Sequence, residues 1–172
     1  MFLIDLEGLA EPHRESGAGL DGFRREEVVR ALDWPDDVLE QWLYDHAEHG
    51  PFVKDYGHVE LSHIQWHLET LALVDLVSLP TGESEGDLME DNARLHAHWV
   101  RARAHLGVLE HWQTAGTWKR PPLLIERRLV RPEAQGLQVL EGRTRVGVLR
   151  GRARDGCFVA AEHRAWVGRA IP

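Results

Sequence analysis

The sequence predicts an α+β protein in which a helical N-terminal region packs on a small C-terminal α/β core. Apolar side chains recur every three or four residues as far as residue 113, which is typical of amphipathic helices. After Trp118 the pattern changes to short apolar runs bounded by Pro and Gly, which is typical of strands and turns. The balance of charge changes in the same part of the chain: residues 1–99 hold 6 Lys/Arg and 22 Asp/Glu, whereas residues 100–172 hold 14 Lys/Arg and 6 Asp/Glu. We therefore expect an acidic helical region over residues 1–116 and a basic core over residues 117–172, and the chain is short enough for both to form one compact unit.

Four helices are predicted in the acidic region. The first covers residues 23–32 with Asp21 as its N-cap, and the second begins at Trp34-Pro35-Asp36-Asp37 and ends at Gly50-Pro51. The third covers residues 60–77, where apolar side chains recur at helical spacing. The fourth is a long helix over residues 87–113, ended by Gly116. Its apolar stripe, which we expect to lie in the principal core, consists of Leu88, Leu95, Trp99, Ala102, Leu106, Leu109 and Trp112.

The basic region is predicted to alternate strands with one helix. Pro121-Pro122 leads into a strand over residues 123–130, and a turn at residues 132–136 connects it to a second strand at 137–140, with which it can form a hairpin. A short helix follows at residues 143–152. Asp155-Gly156 then turns the chain into a third strand at residues 157–160, and residues 162–167 close the fold as a helical turn.

The junction Glu141-Gly142-Arg143-Thr144-Arg145 is the most informative motif in the chain. Gly142 permits a tight turn and close approach of a ligand to the backbone. The helix that begins after it presents free N–H groups and the positive end of its dipole, both of which favour an anion. Arg143 and Arg145 add planar guanidinium groups that match phosphate or carboxylate. The motif therefore predicts a phosphate-binding turn made by Gly142, Arg143, Thr144 and Arg145.

Residues 121–160, read in this order, resemble the core of the ParB/sulfiredoxin-like superfamily. In that superfamily a strand ends in a Gly-x-x-Arg type motif at the start of a helix that holds nucleotide phosphates, and Gly142, Arg143, Thr144 and Arg145 occupy the matching positions here. The resemblance covers about 40 residues and implies a nucleotide, with Mg²⁺, as a possible ligand. Two departures limit it. Arg143 or Thr144 stands where sulfiredoxin-type enzymes carry their catalytic cysteine, and the acidic helical region precedes the core, whereas partition proteins carry a basic helix-turn-helix domain after it.

Two functions follow from these observations. The first is binding of a phosphate-bearing small molecule at the Gly142 turn, with any reaction left open; Glu141 is a candidate general base or holder of a metal-bound phosphate, or else a salt-bridge partner of the arginines. The second is an acidic interaction protein of the bacterial defence or toxin-neutralising kind, without catalytic activity, whose N-terminal region occupies a basic protein partner.

Other classes of site and partner are disfavoured. Residues 26–42 are spaced like a helix-turn-helix, but Asp36, Asp37 and Glu40 would repel phosphates, so we do not expect DNA binding. The pairs His46/His49 and His63/His67 lack a metalloprotease signature, so no metal site is predicted. Membrane spans and a signal peptide are not expected either. The single cysteine, Cys157, favours a cytoplasmic location.

Overall fold

A computed structural model describes residues 1–171, except for the side chain of Glu85. The chain has the α+β class that the sequence predicts, with short helices and one mixed four-stranded sheet. Before the first strand the helices are short. They are α1 (Glu11–Glu15), α2 (Gly19–Phe23), α3 (Glu27–Arg30), α4 (Asp36–Val38) and α5 (Gly50–Tyr56). A π-helix, Leu39–Tyr44, continues α4 directly.

The remaining elements follow in chain order. The helices are α6 (Leu73–Leu76), α7 (Leu88–Arg94), α8 (His96–Ala102), α9 (Val108–Thr114), α10 (Arg127–Val130) and α11 (Arg143–Arg154). The strands are β1 (Ile64–Ala72), β2 (Leu123–Glu126), β3 (Leu137–Glu141) and β4 (Glu162–Ala170), hydrogen-bonded in the order β1-β4-β2-β3.

The third predicted helix, over residues 60–77, is wrong. Half of it is the strand β1, which runs antiparallel to β4, as shown by the bonds from Leu73 N–H to the Ala161 carbonyl and from Ile171 N–H to the His63 carbonyl. The start of β1 alternates like a strand, with Ile64 and Trp66 buried and the residues between and after them exposed. The apolar residues of this segment fit both a helical and a strand period, and hydrogen bonding to β4 determines that the segment forms a strand.

The end of the chain also differs from the prediction. Residues 157–160 do not form a strand, and residues 162–167 are not helical: they belong to β4. His163, Ala165 and Val167 are buried whereas Glu162 and Arg164 are exposed, a period of two that is typical of a half-buried strand. The predicted first strand is shorter than expected as well, because α10 takes over after Glu126.

The long helix is interrupted. α7, α8 and α9 replace it, with bends at Leu95 and Arg103 and a left-handed Gly107. Its predicted core stripe is only partly buried. Trp112 is buried and Trp99 half-buried, but Leu88, Leu95 and Leu106 are exposed. The side chains that α7 and α8 bury are instead Met89, Asn92, Ala93, His96 and Val100.

The chain divides into two compact units. Unit 1 comprises residues 1–67, residues 125–136 and the chain from residue 167 onward; unit 2 comprises residues 68–124 and 137–166. Unit 1 contains an aromatic cluster in which Trp34 stacks on Trp42 with ring centroids 5.3 Å apart, and Trp66 meets both rings edge-on. Unit 2 contains α11, with α7 and α8 packed against it. The Gly142 turn therefore lies within unit 2.

Candidate functional site

The turn between β3 and α11 requires a glycine. Gly142 is buried and has a φ of +93°, a left-handed conformation that other residues adopt only under strain. A Cβ at this position would lie 2.5 Å from the Cβ of Pro122, so the position has no room for a side chain. The Gly142 carbonyl accepts the first bond of α11, from Val146 N–H at 2.9 Å. The predicted strand–glycine–helix junction is thus present, and its glycine has a packing reason as well as a conformational one.

Arg145 folds back over this turn. Its guanidinium pairs with the Glu141 carboxylate and donates to the carbonyls of Arg120 and Pro121 at 3.2 and 3.3 Å. The Nε atom of Arg145 lies 3.0 Å from the point where a Gly142 Cβ would stand. The arginine therefore covers the turn on its outer side. The Arg145 and Glu141 side chains are 19% and 20% exposed, so solvent reaches both partners of the ion pair.

Arg143 is more deeply buried and is directed elsewhere. Its Nε donates to the hydroxyl of Thr81 at 2.9 Å, and that hydroxyl in turn donates to the Val139 carbonyl of β3 at 2.9 Å. Val139 also donates its N–H to the Pro80 carbonyl at 2.8 Å. Arg143 therefore holds the segment around Thr81 against the outer edge of β3.

Thr144 is joined to α7. Its hydroxyl accepts a bond of 3.3 Å from the side-chain amide of Asn92, which is 2% exposed. Asn92 also contacts the backbone of α11 at Gly147, where an added Cβ would lie 2.6 Å from its Cβ. The first turn of α11 is thus fixed from two directions, by Thr81 through Arg143 and by Asn92 through Thr144.

Thr81 and Asn92 are the residues that the sequence reasoning missed. Asn92 lies 49 positions before the start of the motif and Thr81 lies 60, and neither stands in a recognisable pattern with it. Asn92 is four residues after Leu88 and three before Leu95, so it falls on the same side of the predicted long helix as the apolar stripe, where it is the one polar interruption. No signal in a single sequence identifies such contacts.

The first turn of α11 has the elements of an anion site. The N–H groups of Arg143, Thr144 and Arg145 have no helical acceptor four residues earlier, as in the first turn of any helix, and the dipole of a 12-residue helix is positive there. The Thr144 hydroxyl and the Arg145 guanidinium lie in the same turn. The Glu141 carboxylate disfavours anion binding, because it already pairs with the Arg145 guanidinium that an anion would use.

His163 and the histidine pairs of the sequence lie in separate surroundings. His163 Nδ1 lies 2.7 Å from the Thr117 hydroxyl, and its ring packs on Trp118 with centroids 5.0 Å apart. Burial lowers the pKa of His163. His46 Nδ1 lies 2.8 Å from the Gln41 carbonyl, and His63 lies 3.4 Å from the Glu60 carboxylate on an exposed surface. In the described part of the chain no three His, Cys, Asp or Glu side chains are grouped so that they could hold a metal ion.

Acidic side chains are numerous on the surface of unit 1. Within residues 1–60 the exposed ones are Asp5, Glu7, Glu11, Glu15, Asp21, Glu27, Asp33, Asp36 and Asp45. Arg24 pairs with both Asp21 and Asp36, at 3.3 and 2.9 Å, but the four arginines and one lysine of residues 1–60 cannot balance the 15 Asp/Glu there. This surface carries the chemistry of the second predicted function.

Comparison with known proteins adds no relative to this picture. The chain matches no protein-family model, no curated protein and no solved structure. Among the described residues, no helix is long and apolar enough to cross a membrane.

Proposed function

We propose that the protein binds the phosphate group of a small molecule at the first turn of α11, with a nucleotide as the leading candidate. The observation that carries the proposal is the left-handed Gly142 at the start of a 12-residue helix with Thr144 and Arg145 in its first turn. The N–H groups of a first helical turn, a positive dipole and a guanidinium form the usual chemistry of a phosphate site. The order β2, β3, Gly142 and α11 agrees with the ParB/sulfiredoxin-like resemblance, but α10 lies between β2 and β3, and the last strand, β4, begins at Glu162 and not at residue 157.

Binding would proceed by exchange of acceptors on Arg145. In the structure its guanidinium bonds to Glu141, and both side chains are partly open to solvent. An entering phosphate carries more negative charge than one carboxylate and also accepts from the backbone N–H groups, so it competes for the same guanidinium. Glu141 would then be released. A carboxylate next to bound phosphates is a suitable ligand for Mg²⁺, which would enter with a nucleotide.

Thermal unfolding with phosphate compounds tests the proposal directly. Wild-type protein is screened against inorganic phosphate, pyrophosphate and nucleoside mono-, di- and triphosphates, with and without Mg²⁺. A ligand at 100 times its Kd stabilises the folded protein by about 2.7 kcal/mol. We expect Arg145→Ala to lose that stabilisation and Arg145→Lys, which keeps the charge but loses the planar fork, to retain part of it.

Two further variants separate binding from folding. Glu141→Gln removes the competing charge and leaves Arg145 in place, so we expect it to bind the same ligand at least as tightly as the wild type. Arg101→Ala removes an exposed arginine elsewhere in unit 2 and should leave ligand binding unchanged. If no phosphate compound shifts the wild-type melt and Arg145→Ala loses its fold, Arg145 is a structural residue and the proposal fails.

The contacts of the two arginines also support a second candidate function. Arg143 and Arg145 are both engaged within unit 2, while the carboxylates of unit 1 face solvent. This combination favours an acidic interaction protein that occupies a basic protein partner. The triple variant Asp33→Asn, Asp36→Asn, Asp45→Asn tests it: a basic protein that cross-links to the wild type and not to this variant supports the candidate. Equal cross-linking of both proteins contradicts it.

A further inference from the structure

An apolar stripe of unit 2 lies in solvent. Leu95 and Leu106 are each 54% exposed, Trp99 is half-buried and Ala102 is exposed. Leu95, Trp99 and Ala102 follow one another at intervals of four and three, which is the spacing of one side of a helix. Leu106 lies further along the chain, at the end of the 3-10 turn Ala104–Leu106. Single exposed leucines are ordinary, but a helical stripe with its apolar side outward is typical of an interaction surface.

The backbone keeps Leu95 and Trp99 on one side of the chain. The N–H of Leu95 bonds to the Asp91 carbonyl and the N–H of Trp99 bonds to the Leu95 carbonyl, both at 3.1 Å. The helical course therefore continues through the bend between α7 and α8. Side chains four residues apart in such a course lie next to each other.

Cations surround the stripe. Arg94, Arg101 and Arg103 are exposed; Arg94 pairs with Asp91, and the Arg103 guanidinium lies 5.8 Å from the centre of the Trp99 ring. Lys119 brings a fourth cation, because its Nζ donates to the Leu106 carbonyl at 2.9 Å. Residues 92–109 contain no Asp or Glu. The surface formed by residues 94–106 and Lys119, named here the 94–106 surface, is thus apolar at its centre and cationic at its margin.

We propose that the 94–106 surface binds the acidic N-terminal residues of a second copy of this chain. Residues 1–60 carry 15 Asp/Glu and 5 Lys/Arg, and most of these acids are exposed, so the chain itself supplies the complementary charge. A polyanion such as a nucleic acid is a poorer occupant, since the chain as a whole has a net charge of −8 and would repel it. Apolar contact at the centre and charge pairing at the margin is the common arrangement of protein interfaces.

Analytical ultracentrifugation tests the proposal, with protein from about 1 to 100 μM in buffer of low and high salt. We expect reversible self-association at low salt that weakens at about 1 M NaCl, where the screening length falls to ~3 Å. The double variant Leu95→Ser, Leu106→Ser removes the apolar centre. The double variant Arg101→Glu, Arg103→Glu reverses the charge of the margin. Each should raise the dissociation constant at least tenfold, which corresponds to ~1.4 kcal/mol.

Val74→Ser is the matched control. Val74 is 72% exposed in α6 of the same unit, outside the 94–106 surface, so its replacement should leave self-association unchanged. Circular dichroism confirms that each variant is folded. A wild-type protein that is monomeric at 100 μM and low salt overturns the proposal, as does self-association that both double variants retain. A monomer that instead sediments with anionic phospholipid vesicles would assign the surface to a membrane and would also overturn it.

Discussion

Replacing Gly151 with alanine sets two opposing effects against each other. In an exposed helix interior, alanine is more favourable than glycine by about 0.8–1.0 kcal/mol. At Gly151, however, the added Cβ would lie 2.1 Å from the Ala93 carbonyl oxygen, 2.7 Å from His96 Cδ2 and 2.8 Å from His96 Cβ. All three distances are too short for a flexible side chain to relieve, because Ala93 contributes a backbone atom and His96 is buried.

The steric effect should exceed the propensity effect. α11 would have to move away from α7 and α8, and overpacking of this kind costs about 1–3 kcal/mol. The 2.1 Å approach to a backbone oxygen places the steric cost in the upper part of that range. We therefore expect Gly151→Ala to lower the free energy of unfolding by roughly 1–2 kcal/mol after the propensity gain is subtracted. Gly147 lies one turn earlier on the same side of α11. A Cβ added there would lie 2.7 Å from the Met89 carbonyl oxygen, so Gly147→Ala should lower the stability in the same way.

Urea unfolding monitored by circular dichroism measures this difference. With a slope of about 2 kcal/mol per molar urea, the midpoint should fall by about 0.5–1 M. Gly50→Ala provides the matched control, because an added Cβ in α5 meets no atom within 4 Å, and this variant should be as stable as the wild type or slightly more stable. If Gly151→Ala unfolds at the wild-type midpoint or above it, the close approach of α11 to α7 and α8 is refuted.

Two further predictions concern single side chains. Burial lowers the pKa of His163 below its ordinary value of 6.5, so the unfolded chain binds a proton more readily than the folded one; the resulting stability is present above pH 6.5 and is lost as the pH falls below it. Urea midpoints from pH 8 to pH 5 should therefore fall more in the wild type than in His163→Asn, and parallel curves would contradict this. Thr144→Val leaves the buried amide of Asn92 without its hydroxyl acceptor and should cost about 1–3 kcal/mol. Thr144→Ser keeps the hydroxyl and should recover most of that stability, and equal loss in both variants would mean that the methyl group is what matters.

The part of the fold that was predicted correctly depends on local signals. β3, Gly142 and α11 are all encoded within residues 137–154, where an apolar run meets a glycine and then a helical segment. The start of the helix at Trp34-Pro35-Asp36 and the end of α9 near Gly116 were predicted for the same reason, from Pro and Gly at helix ends. Such signals act over a few residues and need no knowledge of distant partners.

The errors arise where distant segments decide the outcome. β1 and β4 stabilise each other across about 100 residues, and neither has a period strong enough to exclude a helix by itself. The stripe from Leu95 to Leu106 has the right spacing for a core, but α11 packs on a neighbouring side of α7 and α8, through Asn92, Ala93 and His96. Spacing shows which residues share a side of a helix, and only the packing partner decides which side is buried.

The same reasoning limits what the glycine of the motif can say about function. Gly142 is required by a positive φ and by the Cβ of Pro122, and it would be required in a protein that binds nothing. Arg145 likewise has a structural use, because it closes the turn through Glu141 and the carbonyls of Arg120 and Pro121. The variant Glu141→Gln distinguishes a structural role of Arg145 from a role in phosphate binding. If Arg145 serves only the fold, removing the carboxylate charge weakens the turn and creates no affinity. If Arg145 receives a phosphate, the same removal relieves a competitor, so Glu141→Gln should lower the stability of the unliganded protein and raise its affinity for phosphate compounds.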